Sequence, residues 1–165
     1  MTATANYLSE VHQDFSFLHC VTIYPTPMES FNLRRMNWLR QYSPEVGLSD
    51  HSLVARDGIL ASQAALYLGA DLIERHFTCL PPGDTKDGPV SIGQSELRAL
   101  VEFSLLASDD QRKILRQSDA EWERMIGVEN PAMTNEETRN RDYYRGRFAT
   151  KDRAGNYQHN WEEVD

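Results

Sequence analysis

The feature that most constrains this chain is an alternation. Three short apolar runs, "FSFLHCVTIYPTP" (residues 15–27), "EVGLSDHS" (residues 45–52) and "ADLIERHFT" (residues 70–78), are each followed by a polar or proline-containing turn and then by a helical pattern. Runs that stay apolar on both sides of the pleat suit strands covered on both faces. The intervening segments have helical spacing instead. "FNLRRMNWLRQY" sets Leu33, Met36 and Leu39 on one side, and "DGILASQAALYLG" carries Ile59, Leu60, Ala64, Tyr67 and Leu68 ahead of Gly69, a C-terminal cap in prospect. A third segment, "QSELRALVEFSLLA", repeats Leu97, Leu100, Val101 and Leu105. The order β-α-β-α-β-α predicts right-handed crossovers and a parallel sheet or barrel, an α/β fold.

Size and charge narrow the class. With 165 residues, 40% of them hydrophobic, the chain can bury a core of one domain and carry a tail. A net charge of -8 offers no basic field for a nucleic acid duplex. No stretch of about 18 apolar residues is present, and the N-terminal "MTATANYLSEVHQDF" lacks the order of a signal peptide, so a membrane partner is not expected and a cytoplasmic location is. Cys20 and Cys79 lie in or beside apolar runs without CxxC spacing, which predicts reduced core thiols.

From about residue 108 the texture changes. "SDDQRKILRQSDAEWERMIG" predicts one further amphipathic helix, with Ile114, Leu115, Trp122, Met125 and Ile126 available to pack, and beyond it the chain is polar with isolated aromatics. The expected division is therefore residues 1–108 as the βα units and residues 109–165 as a C-terminal helix and tail.

Polar side chains gather at the end of every run: Thr22, Tyr24 and Thr26 in the first, Ser49, Asp50 and His51 in the second, Glu74 and His76 in the third. That rim is where α/β folds and barrels keep their active sites. His51 and His76 end successive strands, so two imidazoles there either hold a divalent metal with open positions or hydrogen-bond nearby loops. Glu74 shares a face with His76, and Arg75 takes the opposite one. The Glu74 carboxylate either orients the histidine or binds a sugar hydroxyl, or else pairs with a neighbouring layer. Lys86 and Asp87 sit in "PPGDTKDGPVSI", a long βα loop that either closes over ligand or is simply solvated. Tyr24 either touches ligand or caps the core.

Taken together, "LHCVTIYPTP", "GLSDHS" and "LGADLIERHFT" resemble, over roughly residues 15–105, the sialic acid synthase family, the N-acetylneuraminate synthases. These enzymes condense phosphoenolpyruvate with an N-acetylated amino sugar such as N-acetylmannosamine, forming a nonulosonic acid. The resemblance implies the C-terminal portion of a (β/α)8 TIM-type barrel, strands six to eight, plus an irregular or helical tail. It implies His51 and His76 as ligands of a divalent metal, normally manganese, with magnesium or cobalt as alternatives. His51, His76 and Glu74 become the catalytic candidates. Ser49 matches a phosphoenolpyruvate contact, Tyr24 and Glu74 line the substrate pocket, and Asp87 falls where an acid binds the amino sugar. Thr22 stands where many members carry an asparagine toward phosphoenolpyruvate, and the loop around Asp87 differs from the commoner form. The family's C-terminal domain, which lends an arginine to the partner subunit's sugar, is not recognisable, and Arg145 or Arg147 of "YYRGRF" is the expected substitute.

Three strands cannot close a barrel. The expected partners are therefore a complementing N-terminal half-barrel or a second copy in a homodimer, beside the two substrates. The alternative expectation is a non-catalytic fragment or interaction module that needs that half to be active.

Overall fold

A computed structural model describes residues 2–118, 121–145, 149–151 and 157–159. In chain order the elements are α1 (Thr2–Glu10), β1 (Phe17–Cys20), α2 (Arg35–Leu39), β2 (Val46–Asp50), α3 (Val54–Asp57), α4 (Leu60–Tyr67), β3 (Leu72–Arg75), α5 (Gln94–Ser104), α6 (Ser108–Arg116), α7 (Glu121–Arg124), α8 (Asn135–Arg145), β4 (Ala149–Lys151) and β5 (Tyr157–His159). Two compact units result: residues 15–131, and residues 1–14 with 132–165. In the second unit β4 and β5 pair antiparallel.

The larger unit carries the predicted βα alternation. β1, β2 and β3 form one parallel sheet in that order, with Cys20 opposite Ser49, Ser49 opposite Glu74, and Asp50 opposite Arg75. The apolar runs yield shorter strands than their length suggests, because polar residues and turns take over at the C-terminal ends. β2 is buried at every position, as a strand between two neighbours and under a helical layer must be. Its Val46 and Leu48 are fully enclosed and join Leu33, Met36, Leu39 and Ala64 in one core. The predicted helical stripe of Leu33, Met36 and Leu39 is therefore correct, although the regular helix there is only Arg35–Leu39, preceded by Asn32 in a left-handed conformation at φ 47°.

α4 ends as its sequence predicts. Gly69 has φ 91°, its N–H bonds to the Leu66 carbonyl at 3.0 Å, and the Ala70 N–H bonds to the Ala65 carbonyl at 2.9 Å. These are the two bonds of a Schellman cap, in which glycine meets no Cβ penalty. The cap turns the chain directly into β3.

Two expectations about helices are corrected. The segment from residue 108 to 127 is not one helix: α6 and α7 are separate, and the chain after α7 doubles back to α2, where the Leu33 N–H bonds to the Met125 carbonyl at 2.8 Å. That return buries Leu115, Trp122 and Met125, with the Trp122 ring edge-on to Tyr67 at 5.5 Å. On α5 the core-facing residues are Leu100 and Phe103, whereas Leu97, Val101 and Leu105 are 42%, 52% and 81% exposed. Apolar spacing identified the helix but not which side meets α4, because two apolar stripes run along it.

Candidate functional site at the strand ends

The period-2 geometry of a strand divides the sheet cleanly. On the face away from the helices, Cys20, Ser49 and Glu74 lie side by side in register. Two residues beyond Ser49 and Glu74 come His51 and His76. The Ser49 hydroxyl donates to Glu74 Oε1 at 2.7 Å, fixing the carboxylate against the central strand. The two imidazoles are tilted neighbours, with centroids 5.3 Å apart.

Tyr24 closes this group from the first βα unit. Its ring lies 5.2 Å from that of His51 and 6.3 Å from that of His76, and its hydroxyl donates to Asp87 Oδ1 at 2.8 Å. The segment bearing Tyr24, with a cis Tyr24–Pro25 bond, is anchored by buried Thr26, whose N–H bonds to the His51 carbonyl at 2.9 Å. Asp87 is delivered by the long loop after β3, which coils through short 3-10 turns at Pro82–Asp84 and Gly88–Val90. A Cβ at Gly88 would sit 1.8 Å from the Pro82 carbonyl oxygen, so this fold of the loop requires glycine there.

Electrostatics follow from the packing. Burial, reinforced by His76 and opposed by Asp50 and Glu74, holds His51 below its ordinary pKa, so the neutral imidazole with a free lone pair is favoured. Burial, then the hydrogen bond to Asp87 and its charge, pushes the Tyr24 phenol up to about 12. It stays a donor. Solvent reaches Cys20, yet its surroundings enclose the thiol enough to raise its pKa, and its Sγ lies 3.9 Å from His51 Nδ1.

Six predicted residues thus converge: Tyr24, Ser49, His51, Glu74, His76 and Asp87. Thr22 is exposed, two residues past the end of β1. Arg147 lies outside the described residues, and so does the side chain of Arg145, whose backbone ends α8. Arg75 does take the opposite face, where it is enclosed against Asp50 rather than solvated. The sequence reading missed Cys20 as a site residue. Both cysteines are free but exposed, not core thiols, because Cys20 alternates with His19 onto the uncovered side of the sheet and Cys79 lies in the loop after β3. The register with Ser49 was the signal that could have found it.

For a metal, the fit is that of an incomplete set. The centroid spacing of His51 and His76 is about that of two imidazoles sharing one ion through nitrogens roughly 2.1 Å from it. Among the described residues no group of three or more His, Cys, Asp or Glu side chains is arranged to hold one. The pair therefore suits an ion whose remaining positions are filled by other ligands.

Consecutive parallel βα units that present their polar groups at the strand C-termini are a segment of a TIM-type barrel of the synthase kind. The chain belongs to the NeuB family, which it matches over residues 1–110. It is 31% identical over 147 residues to the pseudaminic acid synthase of Campylobacter jejuni, an alignment covering 88% of this chain and 37% of that enzyme. With the N-acetylneuraminate-9-phosphate synthase of Drosophila melanogaster it shares 39% identity over 91 residues, 54% of this chain and 23% of the relative. The crystal structure of the Bacillus subtilis spore coat polysaccharide biosynthesis protein SpsE superimposes with a TM-score of 0.64 at 26% identity, over 86% of this chain and 39% of that one. The chain thus spans well under half the length of these relatives. Among the described residues no helix is long and apolar enough to cross a membrane.

Proposed function

We propose that this chain supplies the last three βα units of a synthase that joins phosphoenolpyruvate to an N-acetylated amino sugar, such as N-acetylmannosamine, giving a nonulosonic acid and phosphate. The observation that carries this reading is the convergence of Tyr24, Ser49, His51, Glu74, His76 and Asp87 on one rim, from three separate βα units. In the reaction C3 of phosphoenolpyruvate bonds to the aldehyde carbon of the open-chain sugar, water adds at C2, and phosphate departs with its bridging oxygen.

His51 and His76 would hold a divalent cation, manganese by family resemblance, which when bound supplies Lewis acidity to the sugar carbonyl. At His51, where burial favours the neutral ring, a lone pair is kept for that task. With its proton held by Glu74 Oε1, the Ser49 hydroxyl offers the substrates a lone pair, and Glu74 Oε2 offers a second acceptor, both from a fixed geometry. Asp87 accepts from a sugar hydroxyl, with Tyr24 orienting it. By family resemblance alone, Arg145 or Arg147 is the candidate cation for the sugar, and an Arg145→Ala, Arg147→Ala variant with unchanged sugar KM would rule both out.

A second reading is favoured by the edges of the sheet. β3 alternates exposed and half-buried positions, with Leu72 41% exposed. Such a sheet is short of neighbours, so turnover would wait on an N-terminal half-barrel or a second copy. The deciding experiment is manganese-dependent phosphate release from phosphoenolpyruvate plus N-acetylmannosamine by the folded chain, alone and with the N-terminal half of a family barrel. Release that vanishes in His51→Ala supports the synthase reading. Release unaffected by that change, or none with the complementing half present, defeats it.

A further inference from the structure

Directly beneath the rim, on the helix-facing side of the sheet, lies a charged pair that the reaction does not use. The side chains of Asp50 and Arg75 are 0% and 3% exposed and form an ion pair at the last register position of β2 and β3. Asp50 Oδ2 accepts from the Ser62 hydroxyl at 2.6 Å, and Oδ1 accepts from the Ser52 N–H at 2.8 Å. Arg75 donates to the Ser52 hydroxyl at 2.7 Å, and to the Ser52 and Gly58 carbonyls at 3.2 Å each.

The placement matters more than the number of bonds. Asp50 immediately precedes His51, Ser52 immediately follows it, and Arg75 immediately precedes His76. Arg75 therefore grips both chain neighbours of one imidazole while being the chain neighbour of the other. Stability alone does not account for the arrangement. Well-packed apolar residues commonly replace a buried ion pair at no loss, and here Arg75 Nε is buried without a hydrogen-bond partner, which adds a cost.

We propose that Asp50 and Arg75 are positioning residues that set the separation of the His51 and His76 rings, and so the affinity of the pair for a divalent cation. The inference rests on the reading of His51 and His76 as metal-holding residues. It acts through backbone: the lock fixes where each strand stops, and the imidazoles project from the next position on the opposite face.

The test is Mn2+ titration of the full chain, followed by the electron paramagnetic resonance signal of the free ion, beside circular dichroism and a urea midpoint for every variant. His51→Ala and His76→Ala should each abolish binding. Arg75→Lys keeps the charge but loses the fork, and should weaken Mn2+ about 10-fold. The double variant Asp50→Leu, Arg75→Met should weaken it similarly while holding the parent urea midpoint, an outcome a merely structural role would not give. Ser62→Ala removes one bond to Asp50 and carries the test if the others do not fold, with an expected loss of about threefold. Parent-like affinity in the folded variants, with binding still lost in the histidine variants, overturns the positioning role alone. Binding that is absent in the parent, or that survives both histidine changes, overturns the reading of the site and this inference with it.

Discussion

The middle strand and the last strand of the sheet have similar lengths and adjoining registers, yet they live in different surroundings. β2 is buried at all five positions, whereas β3 alternates exposed and half-buried residues. Neighbours account for much of the difference: β2 has a strand on each side, whereas among the described residues β3 pairs with β2 alone, followed past its C-terminal end by the Phe77–Ile92 bridge. Fold stability is concentrated at β2, and chemistry is displayed at the rim it shares with β3.

The comparison can be broken most easily by truncation. Leu48→Ala on β2 should cost about 3 kcal/mol in urea unfolding, since the site is fully enclosed. Leu72→Ala on β3 should cost no more than about 0.5 kcal/mol. A complementing half-barrel should sharpen the contrast by raising the cost at Leu72 and leaving that at Leu48 unchanged. Equal costs in the isolated chain would mean that β3 is covered in solution.

Gly88→Ala is expected to come next in size, about 1–2 kcal/mol, because the Cβ collides with the Pro82 carbonyl and the loop must open. Loss of the Tyr24–Asp87 bond should accompany it. Alkylation distinguishes the two cysteines more gently. Mn2+ should slow modification of Cys20, which lies against His51, and leave Cys79 unaffected, as read by mass spectrometry of the labelled chain. Equal protection of both would contradict the site geometry.

The smallest effect is a pH effect. Tyr24 has its pKa raised from 10.0 to about 12 in the fold, so the protonated phenol is the stabilised form. Its contribution is fully present below pH 10 and is lost as pH rises through about 12. The difference in absorbance near 295 nm (a wavelength of roughly the phenolate band) between parent and Tyr24→Phe should step near the higher value. A step at the ordinary tyrosine value would show that Asp87 does not hold the phenol.

Much of this was legible in the residues. Alternating apolar runs and helical segments gave the βα order, and the period of two put Glu74 with His76 and against Arg75. Tyr24, Ser49, His51 and Asp87 were found through strand-end position and family resemblance together. What lay beyond reach was anything set by a third element. Arg75 meets Ser52 and Gly58, 23 and 17 residues away, so its enclosure depends on how α3 leads into α4. Cys20 looked like core because its flanks are apolar, and only the cross-strand register reveals the uncovered face. The orientation of α5 was hidden for a related reason: both of its apolar stripes could have served the core.

The hydrogen bond from Tyr24 to Asp87 joins residues 63 positions apart across the mouth of the site. It behaves as a latch. The phenol takes one lone pair of Oδ1 and leaves the rest of the carboxylate free to accept from a polyol, so one side chain can hold the loop and read the ligand at once. Tyr24→Phe should then weaken the sugar, because Asp87 loses the donor that orients it.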